Sequence, residues 1–284
     1  MSLRVTIAGV GLIGGSFGLA LRAAGHSGEL VGLGRDPAKL DAALDCGAID
    51  RAETDAVAAV AGADVVFLAV PMGAMAATLE AVAPGLAPGT IVTDAGSVKG
   101  SFVRDARHIL GSLEHVVPGH PIAGTERSGV NAAFGELYRG RRVILTPTAH
   151  THADALATVT ELWTHTGAQV EQLGVEAHDR LLAATSHLPH MLAFGLVDAL
   201  ARGDDPDAVF RYAAGGFRDF TRIASSDPVM WRDICLANRE ALLEALEAYR
   251  EDLEQLTTEV RAQDGAGLLA RFSRAKTARD RFCG

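Results

Sequence analysis

The chain lacks the features that would take it out of the class of ordinary globular proteins. It has no apolar run of the roughly 20 residues that a membrane-spanning helix needs, so no membrane partner is expected. Positive charge is scarce: 26 lysines and arginines against 35 acids leave a net charge of −9, which argues against nucleic acid as a partner. The three cysteines, Cys46, Cys235 and Cys283, are odd in number and far apart. They make neither a disulfide framework nor a metal knuckle, and a reducing cytoplasm fits them. The N-terminus runs straight into an apolar stretch, so no signal peptide is expected, and no repeat recurs at a fixed period. What remains is 284 residues, 48% hydrophobic and 21% charged, enough for two domains with a core each.

One stretch organises the rest. Leu3, Val5 and Ile7 open a run that reads as a buried strand, and Gly9-x-Gly11-x-x-Gly14 follows at once. Leu12, Ile13, Phe17, Leu19 and Leu21 then recur at helical spacing. In such a turn one glycine permits the tight bend, one lets the backbone approach a pyrophosphate, and one lets helix pack on strand. The helix start then offers free N–H groups and partial positive charge to phosphates. Gly9, Gly11, Leu12, Ile13 and Gly14 are therefore candidate cofactor contacts.

The alternation continues. Residues 29–33, 64–70, 90–94, 115–118, 141–146 and 168–173 read as further strands separated by helical patterns, which implies βαβ units and a mostly parallel sheet. Val70, at the end of the third strand, joins the candidate cofactor contacts. From Val175 onward the pattern is helical: 178–201, 205–212, a break at Gly215-Gly216, then one long helix from about Pro228 to Ala262. Leu236, Leu242, Leu243, Leu246, Tyr249, Leu253 and Leu256 give that helix a broad apolar stripe. The stripe fits either a subunit interface or packing inside one domain. The expected architecture is an α/β chain, with a Rossmann-type dinucleotide-binding domain over 1–173 and an all-helical domain over 174–284.

Three groups of residues point to chemistry. At the end of the second strand, where dinucleotide folds commonly carry an acid for the ribose, this chain has Gly34 and then Arg35. Room and a fork-shaped cation there favour NADP over NAD. Asp36 is the competing ribose reader; its other reading is a helix cap before Pro37. Gly119-His120-Pro121 follows a strand on the edge where ligands bind, which makes His120 a candidate proton acceptor. Ser97 follows the preceding strand and could orient its ring. In the helical half, Ser186-His187-Leu188-Pro189-His190 and the segment from Arg218 through Arg222 to Trp231 are more polar than a core needs. Arginines and an indole there suit a planar, carboxylated ligand. The two histidines lack a third ligand for a metal, and none is expected.

Taken together these motifs resemble the prephenate/arogenate dehydrogenases of tyrosine biosynthesis, and nearly end to end. The matching stretches are Gly9–Ser16, Asp94–Lys99, Gly119–Glu126, Ser186–His190, Asp219–Arg222 and Ser226–Trp231. The resemblance implies a Rossmann domain followed by a helical dimerisation domain, hence a homodimer acting on a small-molecule substrate. It implies that His120 takes the proton of the substrate's ring hydroxyl, that Ser97 holds His120, and that Arg222 binds a substrate carboxylate. His187, His190, Glu126, Asp219 and Trp231 would line or support the pocket. The reaction implied is hydride transfer to NADP, or NAD, with loss of the ring carboxylate as CO₂. No further catalytic or regulatory domain is expected after the long helix. The rival readings are another dehydrogenase of the same fold, a relative acting on an amino-substituted prephenate, and a non-catalytic NADP sensor.

Overall fold

The apolar runs become strands where the alternation places them, but they build two sheets rather than one. The computed structural model describes residues 2–125 and 127–283. Strands β1 (Val5–Ala8), β2 (Leu30–Leu33), β3 (Arg51–Glu53), β4 (Val65–Leu68), β5 (Ile91–Asp94) and β6 (Val116–Val117) form a parallel sheet in the order β3-β2-β1-β4-β5-β6. Helices α1 (Leu12–Ala23), α2 (Pro37–Asp45), α3 (Ala56–Val60), α4 (Met75–Val82) and α5 (Lys99–Leu110) make the crossovers. Strand β3 has no counterpart in the sequence reading. It is three half-buried residues, Arg-Ala-Glu, at the sheet edge, where no apolar pattern is needed.

The central strands are buried on both faces, which is why they read as unbroken apolar runs. On β4, Val65 and Phe67 face a core with Phe17, Leu21 and Trp163, while Val66 and Leu68 face a second core with Leu79 and Phe102. The first core is anchored by rings: Phe17 lies 4.5 Å from Phe67 and 4.7 Å from Trp163, centroid to centroid.

The second sheet corrects the expectation of a single one. Strands β7 (Gly119–Pro121), β8 (Arg142–Leu145) and β9 (Gln169–Gln172) stand apart in that order, β7 antiparallel to β8 and β8 parallel to β9, with α6 (Ala153–His165) between β8 and β9. The chain leaves the main sheet because Pro118 has no N–H for the ladder and both backbone groups of Gly119 are taken by side chains. Its N–H donates to Asp94 at 3.1 Å and its carbonyl accepts from the Lys99 ammonium at 2.6 Å.

Downstream, α7 (Val175–Leu182), a π-helical turn (Ala183–His187) and α8 (Leu188–Ala201) run as one helix. The wide turn sits just before Pro189, whose ring would collide with a carbonyl four residues back in a regular helix. Then come α9 (Pro206–Arg211), α10 (Gly215–Thr221), a 3₁₀ turn (Arg222–Ser225) and α11 (Pro228–Ala237). Gly215 and Gly216, expected to break the helix pattern, instead open α10.

The single long helix expected from Pro228 is interrupted. α11 ends at Ala237, and α12 (Arg239–Arg261) and then α13 (Gly265–Cys283) follow. Asn238 leaves helical geometry (φ −102°, ψ 33°) and is buried. Its side-chain amide donates to the Asp179 carbonyl at 2.9 Å and to His187 Nδ1 at 3.1 Å, bonds that a straight helix would forgo.

The chain forms two compact units, Met1–Asn238 and Arg239–Gly284. In the second, α12 and α13 make a hairpin tied by Arg271, which pairs with Glu259 at 2.9 Å and Asp252 at 3.2 Å. Among the described residues no helix is long and apolar enough to cross a membrane.

Candidate active site

All six strands of the main sheet end at one edge, so the loops after them converge. The strand order reverses between β1 and β4, and the crevice outside that point is where a dinucleotide fits. Gly9 turns the chain there with φ +94°, and a Cβ on it would lie 2.6 Å from the Ala69 carbonyl and 2.8 Å from Val70. A Cβ on Gly14 would lie 2.2 Å from the Gly9 carbonyl, so α1 packs as closely as it does only on glycine. Gly11, by contrast, has open space where its side chain would be, and no side chain caps α1. Leu12 and Ile13 occupy the first turn. The cradle therefore fits a pyrophosphate: uncapped helix amides, an open approach at Gly11, and no acid in the first turn.

At the end of β2, Gly34 leads to an exposed Arg35 with no hydrogen bond or ion pair among the described residues. The Asp36 carboxylate is engaged: it caps α2 by accepting from the Ala38 N–H at 3.1 Å and lies 3.6 Å from Lys39.

The next two loops hold His120. Asp94, at the end of β5, and Lys99, at the start of α5, are both fully buried and paired with each other. Burial pulls both toward their neutral forms, lowering the Lys99 pKa and raising that of Asp94, and their mutual attraction opposes this. Because the pair also holds the N–H and the carbonyl of Gly119, it sets the backbone from which His120 projects.

Ser97, expected to hold the His120 ring, lies in the loop between β5 and α5 and makes no hydrogen bond to it among the described residues. The ring's partner is His178 on α7, whose Nε2 is 2.9 Å from His120 Nδ1. His178 Nδ1 is in turn 2.8 Å from the Asp179 carboxylate. Asp179 also accepts from the backbone N–H groups of Lys99 at 2.9 Å and Gly100 at 2.8 Å. Burial pushes the His120 pKa well below the ordinary histidine range, and any positive charge on His178, Lys99 or His187 pushes the same way. Its ring is therefore neutral at physiological pH and able to accept a proton.

Further residues gather beside this chain of rings. His187 is buried, accepts from Asn238, and is driven by burial down to a pKa of about 4. His190 donates from Nδ1 to the Ser186 carbonyl at 2.8 Å and stacks on Trp231 at 3.6 Å. Burial lowers its pKa, the Ser186 bond opposes this, and the nearby Arg222 charge lowers it further. The Trp231 indole N–H is buried without a partner among the described residues. Trp231 is seated by Val98, the neighbour of Ser97, and by Ile234. Arg222, His187, His190 and Trp231 are thus brought together, and electrostatic coupling runs from His190 through His187 to His120. Asp219 is not: it is exposed on α10, without a hydrogen bond or ion pair among the described residues. Glu126 lies outside the described residues.

His178, Asp179 and Asn238, and the Asp94–Lys99 pair, carry no role in the sequence reading. The adjacent His-Asp on the first helix after the sheet was the available signal, but their partners lie 58 to 80 residues away in sequence.

Residues 17–172 match the family model described as prephenate dehydrogenase, nucleotide-binding domain, and residues 175–274 the one described as prephenate dehydrogenase, dimerization domain. The cyclohexadienyl dehydrogenase of Zymomonas mobilis is 40% identical over 285 residues, covering 97% of this chain and 94% of its own. Among solved structures, the prephenate dehydrogenase of A. aeolicus in complex with hydroxyphenyl propionate and NAD+ matches with a TM-score of 0.92 at 39% identity, covering 98% of each chain. The arogenate dehydrogenase of Synechocystis matches with a TM-score of 0.85 at 30% identity, over 99% of this chain and all of that one. This chain belongs to the prephenate dehydrogenase family, the NAD(P)-dependent enzymes of oxidative decarboxylation in tyrosine biosynthesis.

Proposed function

We propose that this dehydrogenase oxidises prephenate or arogenate in the cytoplasm, prefers NADP, and uses His120 as the proton acceptor. The observation that carries the reading is the His120 imidazole on β7, just past the edge of the main sheet that carries the glycine cradle, where burial lowers its pKa. The bound nucleotide supplies the hydride acceptor for the ring carbon that bears the hydroxyl. As that hydride leaves, His120 takes the hydroxyl proton and a ring carbonyl forms. The bond to the ring carboxylate then breaks, CO₂ departs, and its electron pair aromatises the ring to a phenolate. His120 returns the proton to that oxygen, so the enzyme ends as it began. Aromatisation drives the reaction, which leaves the protein to position reactants and move one proton. Arg222 is the cation for a substrate carboxylate, and Trp231 offers an indole N–H. Ser97, Glu126, His187 and His190 complete the proposed pocket, with Asp219, exposed on α10, as an outer support.

The nucleotide is held by residues 1–173, through Gly9, Gly11, Leu12, Ile13, Gly14 and Val70. Arg35, exposed and without an ion-pair partner among the described residues, suits a 2′-phosphate. Asp36 is already committed to the α2 cap. Residues 174–284 carry substrate contacts and the dimer interface. Leu243, Tyr249, Leu253 and Val260 on α12 and Leu269 and Phe272 on α13 are exposed, an apolar face that a second copy would cover.

Four outcomes are expected. Because the neutral form of His120 is the active one and its pKa is lowered, kcat/KM should hold level as pH falls through about 6.5 and drop only in more acid solution. His120→Asn should lower turnover by about 10²–10⁴-fold and leave nucleotide affinity nearly unchanged; near-normal turnover at saturating prephenate and arogenate would place the acceptor elsewhere. Arg35→Ala should weaken NADP binding by about 1.5–3 kcal/mol and barely alter NAD binding. A wild-type enzyme far more efficient with NAD would instead assign the ribose to Asp36. Sedimentation at micromolar concentration should give a dimer; a fully active monomer would contradict the interface.

A further inference from the structure

We infer that His178 and Asp179 are positioning residues that fix the tautomer of His120, holding its proton on Nδ1 so that Nε2 is the accepting atom. The inference rests on the proposed role of His120, and its starting point is the environment of Asp179. The N-cap residue of α5, Val98, gives that helix no side-chain cap. The Asp179 carboxylate does so from α7, taking the Lys99 and Gly100 N–H groups on separate oxygens. An anion at a helix N-terminus is stabilised by those donors and by the helix dipole. Burial would raise the Asp179 pKa, but the bonds from His178, Lys99 and Gly100 outweigh it and keep the group ionised.

An ionised carboxylate only accepts hydrogen bonds, so the 2.8 Å contact requires a proton on His178 Nδ1. A neutral imidazole with N–H on one nitrogen has its lone pair on the other. In a neutral His178, Nε2 therefore accepts, and the 2.9 Å contact has His120 Nδ1 donating. The lone pair of neutral His120 is then on Nε2. Among the described residues, nothing occupies that nitrogen by hydrogen bonding, which leaves it for a substrate hydroxyl. When His120 takes a proton, the new positive charge is 2.9 Å from a ring whose far side meets a carboxylate. The order carboxylate, ring, ring repeats the logic by which a third group orients a catalytic base.

The arrangement does a second thing. The same carboxylate that sets the tautomer also docks α7 on the start of α5, so the base is correctly protonated only when the helical segment is seated on the sheet.

The test is ¹⁵N NMR of ring-labelled histidine in the full-length protein saturated with NADP, the His120 signals being assigned by their absence in His120→Asn. Wild-type His120 should show a protonated Nδ1 and an unprotonated Nε2. In Asp179→Asn, whose side chain can donate to His178 as well as accept, the His120 proton should move to Nε2. Turnover should then fall by about 10²–10⁴-fold, the range for losing a general base, while the KM for substrate changes far less. In a serine protease triad, the equivalent Asp→Asn change keeps the geometry, mis-sets the tautomer and lowers kcat about 10⁴-fold. A proton on Nε2 of wild-type His120 would overturn the inference whether or not the variant folds. So would an Asp179→Asn enzyme with normal turnover and the wild-type nitrogen pattern. If the tautomer is as inferred but His120→Asn keeps full turnover, the positioning stands and the proton-acceptor reading fails.

Discussion

The Asp179 carboxylate on the N-terminus of α5 is the contact on which the rest of the site depends. It lies where the parallel sheet, which delivers the nucleotide cradle, meets the helix that delivers the histidines. Taking a carboxylate out of water costs several kcal/mol. Three charge-assisted hydrogen bonds, each worth about 1.5–3 kcal/mol, offset that cost. The Asp179 backbone carbonyl adds a further tie by accepting from Asn238, which interrupts the helix after α11. One residue thus touches the start of α5, the ring that orients His120, and the residue that ends α11. Removing its charge should be felt at all three.

A second buried charge pair plays the matching role on the sheet side. Asp94 and Lys99 hold Gly119 by both of its backbone groups, so the residue before His120 cannot shift in either direction along the strand. His120 is therefore fixed twice, through its backbone by the sheet and through its ring by the helix. The electrostatics follow from burial. His120, His187 and His190 all have lowered pKa values, largely because their charged forms are costly to bury. The histidines are held uncharged, and in the proposed reaction the positive charge for a carboxylate comes from Arg222. That division suits a reaction in which a proton is taken up and returned beside an anionic substrate.

What could be read from the chain is what is local. The glycine turn between strand and helix depends on a few consecutive residues, and the buried strands announce themselves by unbroken apolar runs. The edge strand β3 is short, polar and half exposed, so no pattern marks it. The apolar stripe continues across Asn238 without interruption, and the break there comes from hydrogen bonds to α7 and the π turn. Gly215 and Gly216 look like a break because glycine weakens a helix interior, but at the first positions of α10 their side chains would meet nothing. The placement of Ser97 and His120 on neighbouring loops was legible. The partner of the ring was not, since His178 is 58 residues away in sequence and becomes a neighbour only after α7 docks.

The central claim is that the glycine cradle and the histidine cluster form one site, in which hydride passes directly from the substrate ring as His120 takes the hydroxyl proton. It is tested most directly with prephenate and arogenate carrying deuterium on the hydroxyl-bearing ring carbon. The account predicts that the deuterium ends on the reduced nicotinamide ring, with one CO₂ released per nucleotide reduced. Deuterium recovered in water, or nucleotide reduced without CO₂ release, would contradict it.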